Sequence, residues 1–340
     1  MESSSASQIS QLPSFSIILE TENLANADLE GLSASLKSLI DQDVPPTWAN
    51  EVILIDSGDA PPELLAQLCQ RYPWIKVHPA SLTTGYYKAK MLGAQQSTGE
   101  ITIYCDSDCA YEPHWIRTIL TTFASNPDIQ IVAGETSTRG KGPYGTAMAL
   151  TYIFPQHSGE TELTPTYQYF LNNVAFRRSF LLQYPIPTDL PLYRGNCVIH
   201  AYCLTQQGYT IWRQPQARAT HAPPNGLSHF FWRFLLIGHD YYWQQQLTQP
   251  EINLNQSLVS REHLREAARV LTIKGPQVKL RIFSSRISRM FKNNPQHLLY
   301  LPFAMPIALT SVFLIFAGYI ITRINSQYLL KTYESLLSNT

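Results

Sequence analysis

Cysteine is scarce in this sequence, and its spacing argues against cross-linked and zinc-stabilised scaffolds. The 340 residues include five cysteines, an odd number without a CxxC pair. This arrangement favours neither a disulfide framework nor a zinc site, and a reducing compartment fits it best. A GxGxxG loop is also missing after the first apolar run at 15–19, which disfavours a dinucleotide-binding dehydrogenase. The same loop lacks the glycine-rich, basic pattern that nucleotidyltransferases usually carry.

A secretory signal is likewise missing, and no nucleic-acid partner is expected. Residues 1–13 are polar, without a basic start or an apolar run, so we predict a disordered N-terminus and a globular part in the cytoplasm. Charge is balanced overall but not locally. Residues 1–250 hold 14 Lys and Arg against 21 Asp and Glu, whereas residues 251–340 hold 11 against 4. The two parts of the chain therefore need separate interpretation.

A long apolar run lies near the C-terminus. Residues 298–322 contain no charge, and at about 1.5 Å per residue they can cross a hydrocarbon core of about 30 Å. Upstream, residues 274–292 interleave basic and apolar side chains, a pattern typical of a helix on an anionic leaflet. We predict a single-pass membrane protein with its globular part in the cytoplasm. A buried hydrophobic helix is the alternative.

These signals predict five segments. In chain order they are a disordered N-terminus (1–13), a globular domain (14–250), a basic amphipathic membrane-proximal region (251–297), a transmembrane helix (298–322) and a C-terminal tail (323–340).

The first part of the globular domain alternates apolar runs with amphipathic stretches. This alternation predicts an α/β fold with a mostly parallel sheet and helices on both of its faces. The predicted elements are strands at 15–19, 51–55, 75–77, 101–105 and 129–134, and helices at about 27–41, 62–71, 86–97 and 113–124.

Acidic loops follow three of these predicted strands. They read ETEN (20–23), DSGD (56–59) and DSD (106–108). Because the carboxyl ends of parallel strands share one edge of a sheet, where ligands bind, these loops should converge. Asp106 and Asp108 can together bind a hard divalent cation that assists the departure of a phosphate. The alternative is that they form a turn and cap the next helix.

Four motifs lie in the order and spacing of the family-2 glycosyltransferases, which the sequence resembles over residues 14–222. The motifs are FSIILETEN, EVILIDSGD, GYYKAKMLGAQQSTGEITIYCDSD and EPHWI. Residues 85–115 are the most specific part, because a glycine, an Ala-Lys pair, a second glycine, a strand and DxD follow one another there. The resemblance implies an inverting enzyme of the GT-A fold with a central mixed sheet. It also implies a nucleotide-sugar donor, UDP-sugar or GDP-sugar, and Mg²⁺ or Mn²⁺.

The resemblance assigns four residues to the nucleoside. Glu20, Thr21 and Asn23 would border the nucleoside, and Asp56 would hydrogen-bond its base. The plainer alternatives are that Asn23 caps the helix that follows it and that Asp56 shapes a turn.

Four further residues are assigned to the phosphates and the metal. By resemblance, Asp106 would reach the ribose or the metal, and Asp108 would ligate the metal. His221 would complete the metal site, as a histidine does in some family members. Lys90 occupies the basic position of the family's Ala-Arg-Asn motif, near the donor, although a solvated helix lysine is the alternative.

The acidic residue that serves as the family's catalytic base is missing from its expected place, which Asn196 and Cys197 occupy. An inverting transfer needs a group that accepts the proton of the acceptor hydroxyl. Asp189 and His200 are the nearest substitutes in the sequence, and His221 is a third titratable candidate. Asp189 could instead cap a turn, and His200 could be a satisfied core histidine.

The sequence therefore predicts a membrane-anchored glycosyltransferase of polysaccharide biosynthesis that moves a sugar to a lipid-linked or cell-surface glycan acceptor. The rival is a catalytically degenerate protein that binds nucleotide sugar, or a partner, without transfer, and Asn196 and Cys197 favour it. The aromatic stretch at 227–243 is open between an acceptor groove, a membrane interface and simple packing.

Overall fold

The computed structural model describes residues 12–22, 29–58, 60–82, 84–248 and 276–337. Asn23, nearly all of the predicted disordered N-terminus and much of the predicted membrane-proximal region lie outside these ranges.

Within the described ranges the chain alternates strands and helices as far as α4 and becomes mainly helical after β9. In chain order the elements are β1 (Phe15–Glu20), α1 (Leu29–Ile40), β2 (Glu51–Asp56), α2 (Pro62–Arg71), β3 (Ile75–Pro79), α3 (Tyr86–Gln96), β4 (Ile101–Cys105), β5 (Cys109–Tyr111), α4 (Trp115–Ser125), β6 (Ile131–Thr138), α5 (Gly142–Thr151), β7 (Thr164–Thr166), β8 (Asn173–Arg177), α6 (Arg178–Gln183), α7 (Asn196–Gln206), β9 (Ile211–His221), α8 (Gly226–Leu247), α9 (Pro276–Asn293), α10 (His297–Ile324) and α11 (Tyr328–Leu337).

The described strands form one mixed sheet in the order β3-β2-β1-β4-β8-β6-β9-β5, with β7 paired to β9. Strands β1 to β4 are parallel. Every residue of β1 and β4 is buried, as expected for parallel strands covered on both faces. The predicted α/β fold is confirmed, and the predicted parallel pairing holds over these four strands.

Antiparallel pairs appear in the sheet beyond β4. Strand β8 pairs antiparallel with both β4 and β6, and β9 pairs antiparallel with β5 and β7. The predicted strand at 129–134, observed as β6, therefore has an antiparallel neighbour in β8.

The chain divides into two compact units. The sheet unit comprises the described residues up to Thr136 together with Ser158–Thr188 and Thr210–His221. The helical unit comprises Ser137–His157, Asp189–Tyr209 and the described residues from Ala222 onward.

The core of the sheet unit lies between the sheet and helices α1, α2 and α4. Trp115 on α4 is fully buried there, and its indole N–H donates to Asn173 Oδ1 at 2.8 Å. The Asn173 amide in turn donates to the carbonyls of Glu135 and Ala217. Because β6, β8 and β9 are neighbours in the sheet, this buried network fixes the antiparallel half of the sheet against α4.

The helical unit is organised around α10, which packs against α5 and α8. At the crossing of α8 and α10 a Cβ added to Gly238 would collide with the Ile315 carbonyl, and one added to Gly318 would collide with the Leu235 carbonyl. Glycine at both positions therefore lets the two helix backbones approach closely.

The two faces of α10 differ in exposure. Its buried face consists largely of small residues, including Ala304, Ala308 and Ser311. Large apolar side chains are exposed on its other side, among them Phe303, Leu309, Val312, Phe313 and Phe316. Among the described residues, α10 is the one helix long and apolar enough to cross a membrane.

Candidate functional site

The loop between β4 and β5 is a short, internally bonded turn. The backbone N–H of Cys109 donates to the Asp106 carbonyl at 3.2 Å. The backbone N–H of Asp106 donates to the Tyr111 hydroxyl at 2.9 Å, and that hydroxyl donates to the Asn172 carbonyl at 2.9 Å. The turn that carries both aspartates is thus fixed at its first residue, Asp106, by the side chain of Tyr111, the last residue of β5.

The Asp106 carboxylate is held by two side chains of α3. Lys90 Nζ lies 2.6 Å from Asp106 Oδ1 and also donates to the Cys105 carbonyl at 2.5 Å. The Tyr86 hydroxyl donates to Asp106 Oδ2 at 2.8 Å. The side chains of Lys90 and Asp106 are 0% and 5% exposed. Because Tyr86 and Lys90 are four residues apart on a helix, they lie on one face and reach the same carboxylate.

A second acidic group contributes to this buried cluster. Burial alone would lower the pKa of Lys90, but the carboxylates of Asp106 and of Glu20, at the end of β1, outweigh burial and hold that pKa above its usual value. Lys90 is therefore a buried cation that is stabilised by the carboxylates at the end of β1 and directly after β4. This finding departs from the alternative of a solvated helix lysine.

Asp108 meets His221 through the register of β5 and β9. Cys109, the first residue of β5, lies directly opposite His221, the last residue of β9. This register brings His221 Nε2 to 3.1 Å from Asp108 Oδ2, with side-chain exposures of 12% and 22%. Donor atoms of Asp108, Cys109 and His221 all lie within 4.8 Å of one another.

These donors fit a divalent cation. A carboxylate oxygen from the turn before β5 and an imidazole nitrogen from the end of β9 lie close together, and both types of group ligate first-row divalent metals. The Asp106 carboxylate is not part of this donor group, because its oxygens are engaged by Tyr86 and Lys90. Of the three predicted metal ligands, the structure brings two together.

The loops after β1 and β2 are bonded to each other. Thr21 donates its backbone N–H to the Ile55 carbonyl at 3.1 Å, and its hydroxyl accepts from the Ser57 backbone N–H at 3.1 Å. Asp56 Oδ1 accepts from the Gly58 backbone N–H at 2.9 Å, and Gly58 has a φ of +80° that favours glycine. The Asp56 carboxylate thus shapes a turn, which is the alternative role that the sequence offered for it.

Two residues of the site went unnoticed in the sequence. Tyr86 and Tyr111 read there as ordinary aromatic residues, yet both hydroxyls bond Asp106. The spacing of Tyr86 and Lys90 on one helix face could have indicated the first. Nothing local to the sequence indicates the second, because its role depends on how the turn closes.

The substitutes proposed for the catalytic base belong to the helical unit. Asp189 is exposed, and His200 is buried on α7. Asn196 and Cys197 are both buried at the first turn of α7. The structure thus puts an amide and a thiol at the helix start where the family resemblance implies a carboxylate.

The segment before α7 is fixed by a carboxylate of α8. Asp240 accepts the backbone N–H groups of Tyr193 at 2.7 Å and Arg194 at 2.8 Å. Burial raises the pKa of Asp240 to about 6, although these two N–H groups and the Arg233 guanidinium act to lower it. The Arg233 guanidinium lies over the ring of Tyr193 at 5.4 Å.

Comparison with known proteins agrees with this architecture. Residues 25–184 match the family model described as glycosyl transferase family 2. The chain is 28% identical over 118 residues to human polypeptide N-acetylgalactosaminyltransferase 15, and 28% identical over 128 residues to glycosyltransferase AglE of Haloferax volcanii. The matched segments cover 34% and 37% of this chain but 18% and 40% of those relatives.

A solved structure shows the same fold. The mannosyltransferase PcManGT from Pyrobaculum calidifontis, in complex with GDP-Man and Mn²⁺, aligns with a TM-score of 0.58 over 93% of this chain and 88% of that one, at 15% identity. The chain shares the GT-A fold of that enzyme, and its residues 25–184 are similar to glycosyl transferase family 2.

Proposed function

We propose that this protein is a metal-dependent, inverting glycosyltransferase that moves a sugar from UDP or GDP to a lipid-linked or cell-surface glycan. The observation that carries the proposal is the pairing of Asp108 with His221 at the end of the DxD turn, 3.1 Å apart. PcManGT, which shares the fold, was solved with GDP-Man and Mn²⁺. A nucleotide-sugar donor and a divalent cation are accordingly the ligands proposed for this site.

Asp108 and His221 would hold the cation, Mg²⁺ or Mn²⁺. When bound, the cation offsets the charge of the departing diphosphate. Asp108 directly precedes β5 and His221 ends β9, and these two strands pair through consecutive residues, so the sheet sets the separation of the two side chains. A site built on strands keeps its geometry better than one on a long loop.

Lys90 is proposed to act on the donor through Asp106. As a fully buried cation it neutralises the Asp106 carboxylate and lies near Glu20. The remaining face of Asp106 would reach the ribose, while Thr21 and Asp56 would border the nucleoside and its base. Asp56 is partly exposed at the end of β2, which leaves Oδ2 available to a base N–H.

Inverting transfer requires a base for the acceptor hydroxyl. Asp189 is our first choice, because an exposed carboxylate can both reach an acceptor and release the proton to water. His200 is buried on α7 and needs a conformational change to serve the same role.

The acceptor class follows from membrane attachment, which we propose for the C-terminal region. The exposed side of α10 is apolar, and the exposed Lys292 lies in the last turn of α9, a short connection before α10. Because basic residues lie on this side of the span, we propose a cytoplasmic glycosyltransferase domain and a single crossing by α10. A lipid-linked acceptor would then reach the enzyme by diffusion in the same leaflet.

The second candidate is a protein that binds nucleotide sugar without transferring it. The amide of Asn196 and the thiol of Cys197 at the start of α7 favour it, because neither group is a carboxylate base. Turnover separates the two candidates, since both of them bind donor.

Calorimetric titration of the detergent-purified protein tests the proposed donor site. UDP, GDP and their common sugar conjugates would be added with Mn²⁺ and with chelator, to the wild type and to Asp108→Ala. We expect binding of one nucleotide class that needs Mn²⁺ and is lost in the variant. A folded wild-type protein that binds none of these nucleotides would overturn the proposal.

A further inference from the structure

A cysteine lies beside the proposed metal ligands. Cys109 is fully buried, and its Sγ lies 3.7 Å from Asp108 Oδ1. Its position opposite His221 on the neighbouring antiparallel strand puts both side chains on one face of the sheet. A carboxylate, a thiol and an imidazole, which are three different types of metal ligand, therefore lie close together.

The separations of these donors are close to those of a tetrahedral site. Zinc binds sulfur at about 2.3 Å and nitrogen or oxygen at about 2.1 Å, so tetrahedral angles place sulfur and oxygen about 3.6 Å apart and nitrogen and oxygen about 3.4 Å apart. Here Cys109 Sγ and Asp108 Oδ1 are 3.7 Å apart, and His221 Nε2 and Asp108 Oδ2 are 3.1 Å apart. The sulfur and the nitrogen each lie near a different oxygen of Asp108, so small side-chain rotations would let one donor atom from each residue bind the same ion.

We propose that Asp108, Cys109 and His221 form a three-ligand site that holds Zn²⁺ in preference to Mn²⁺. Thiolate and imidazole ligands select zinc over the harder Mn²⁺, and zinc also binds more tightly by the general order of divalent affinities. On binding, the Cys109 thiol gives its proton to solvent. One coordination position remains open.

The consequence is that zinc inhibits the transfer. Zinc bound in this way occupies Asp108 and His221, the two residues proposed to hold the catalytic cation. Tetrahedral zinc with three protein ligands has one coordination position left for a diphosphate oxygen, whereas an octahedral ion with two protein ligands has four. The inhibition rests on the proposed function, whereas the ligation by sulfur does not.

Cobalt absorption spectroscopy tests the ligation directly. The full-length protein in detergent, freed of metal by chelator, would be titrated with Co²⁺ alone and then with Zn²⁺ as competitor. We expect one Co²⁺ per chain, a thiolate-to-cobalt charge-transfer band, and displacement by zinc. Cys109→Ser should abolish the band and weaken zinc binding by at least about tenfold. Cys105→Ser is the matched control, because its buried Sγ is directed at the Ile18 carbonyl, and it should keep the band.

The contrary results are equally defined. A titration without a charge-transfer band, or a band that survives in Cys109→Ser, would overturn the proposal. If Cys109→Ser does not fold, His221→Gln keeps the thiol and should still weaken zinc binding by at least about tenfold; unchanged zinc affinity there would overturn it. Nucleotide binding by the Mn²⁺ form, measured on the same samples, reports separately on the donor site.

Discussion

The sheet unit and the helical unit fix their buried polar groups in different ways. In the sheet unit, the Asp106 carboxylate lies in the loop that follows β4 and meets Lys90, a side chain of α3. In the helical unit, Asp240 on α8 is satisfied by backbone N–H groups of a segment without regular structure. A carboxylate that directly follows a strand can thus be recognised in the sequence. A helix carboxylate that binds backbone N–H groups of a distant segment cannot.

Breaking the buried ion pair should produce the largest effect on stability. Lys90→Met leaves the Asp106 carboxylate buried without its cation, so we expect the free energy of unfolding to fall by about 3–5 kcal/mol. Urea denaturation monitored by circular dichroism measures the loss. Lys88→Met, an exposed lysine on the same helix, should change it by less than about 0.5 kcal/mol. Equal losses in both variants would show that Lys90 is not a structural cation.

The Asp240 carboxylate should make stability depend on pH in the opposite direction to an ordinary surface carboxylate. Its pKa is raised from 3.8 to about 6 in the folded protein, so its contribution is fully present below pH 4 and is lost as pH rises through 6. The free energy of unfolding should fall by roughly 2–3 kcal/mol between these values because of this group. Urea denaturation across this pH range would show that fall.

Asp240→Asn provides the comparison for that profile. The amide does not titrate, so the difference between variant and wild type should shrink or reverse as the pH rises. A difference that is constant from pH 4 to 7 would contradict the raised pKa.

The crossing of α8 and α10 offers a test by overpacking. Gly318→Leu inserts a side chain where the Leu235 carbonyl lies, and we expect a loss of about 1–3 kcal/mol in the free energy of unfolding. Val312→Leu, on the exposed side of the same helix, should be nearly neutral. Thermal unfolding in detergent distinguishes them, and equal melting temperatures would show that the two helices do not pack closely.

The smallest effect should come from the tyrosine that supports Asp106. Tyr86→Phe removes a donor to a carboxylate, a change we expect to cost about 1.5 kcal/mol. Combining it with Asp106→Asn in a double-mutant cycle, measured by urea denaturation, should give a coupling energy of about 0.5 kcal/mol or more. Strict additivity would show that the hydroxyl and the carboxylate do not interact.

Sequence reasoning predicted the α/β fold and the strands that carry the acidic loops, because buried apolar runs and strand-end carboxylates are local features. It did not predict that Cys109 faces His221, since that contact depends on the register of β5 against β9. The burial of Lys90 was also missed, because a lysine on an amphipathic helix reads as solvated until its carboxylate partners are placed. Both omissions concern contacts that depend on how separate elements pack, which local sequence does not record.

Electron paramagnetic resonance of the Mn²⁺-loaded protein shows whether the metal that meets the diphosphate is held by Asp108 and His221. With GDP or UDP bound, we expect Mn²⁺ to couple both to an imidazole nitrogen and to phosphorus of the diphosphate. We expect His221→Gln to remove the nitrogen coupling alone. A phosphorus coupling without any nitrogen coupling in the wild type would contradict it, because the metal would then lie away from Asp108 and His221.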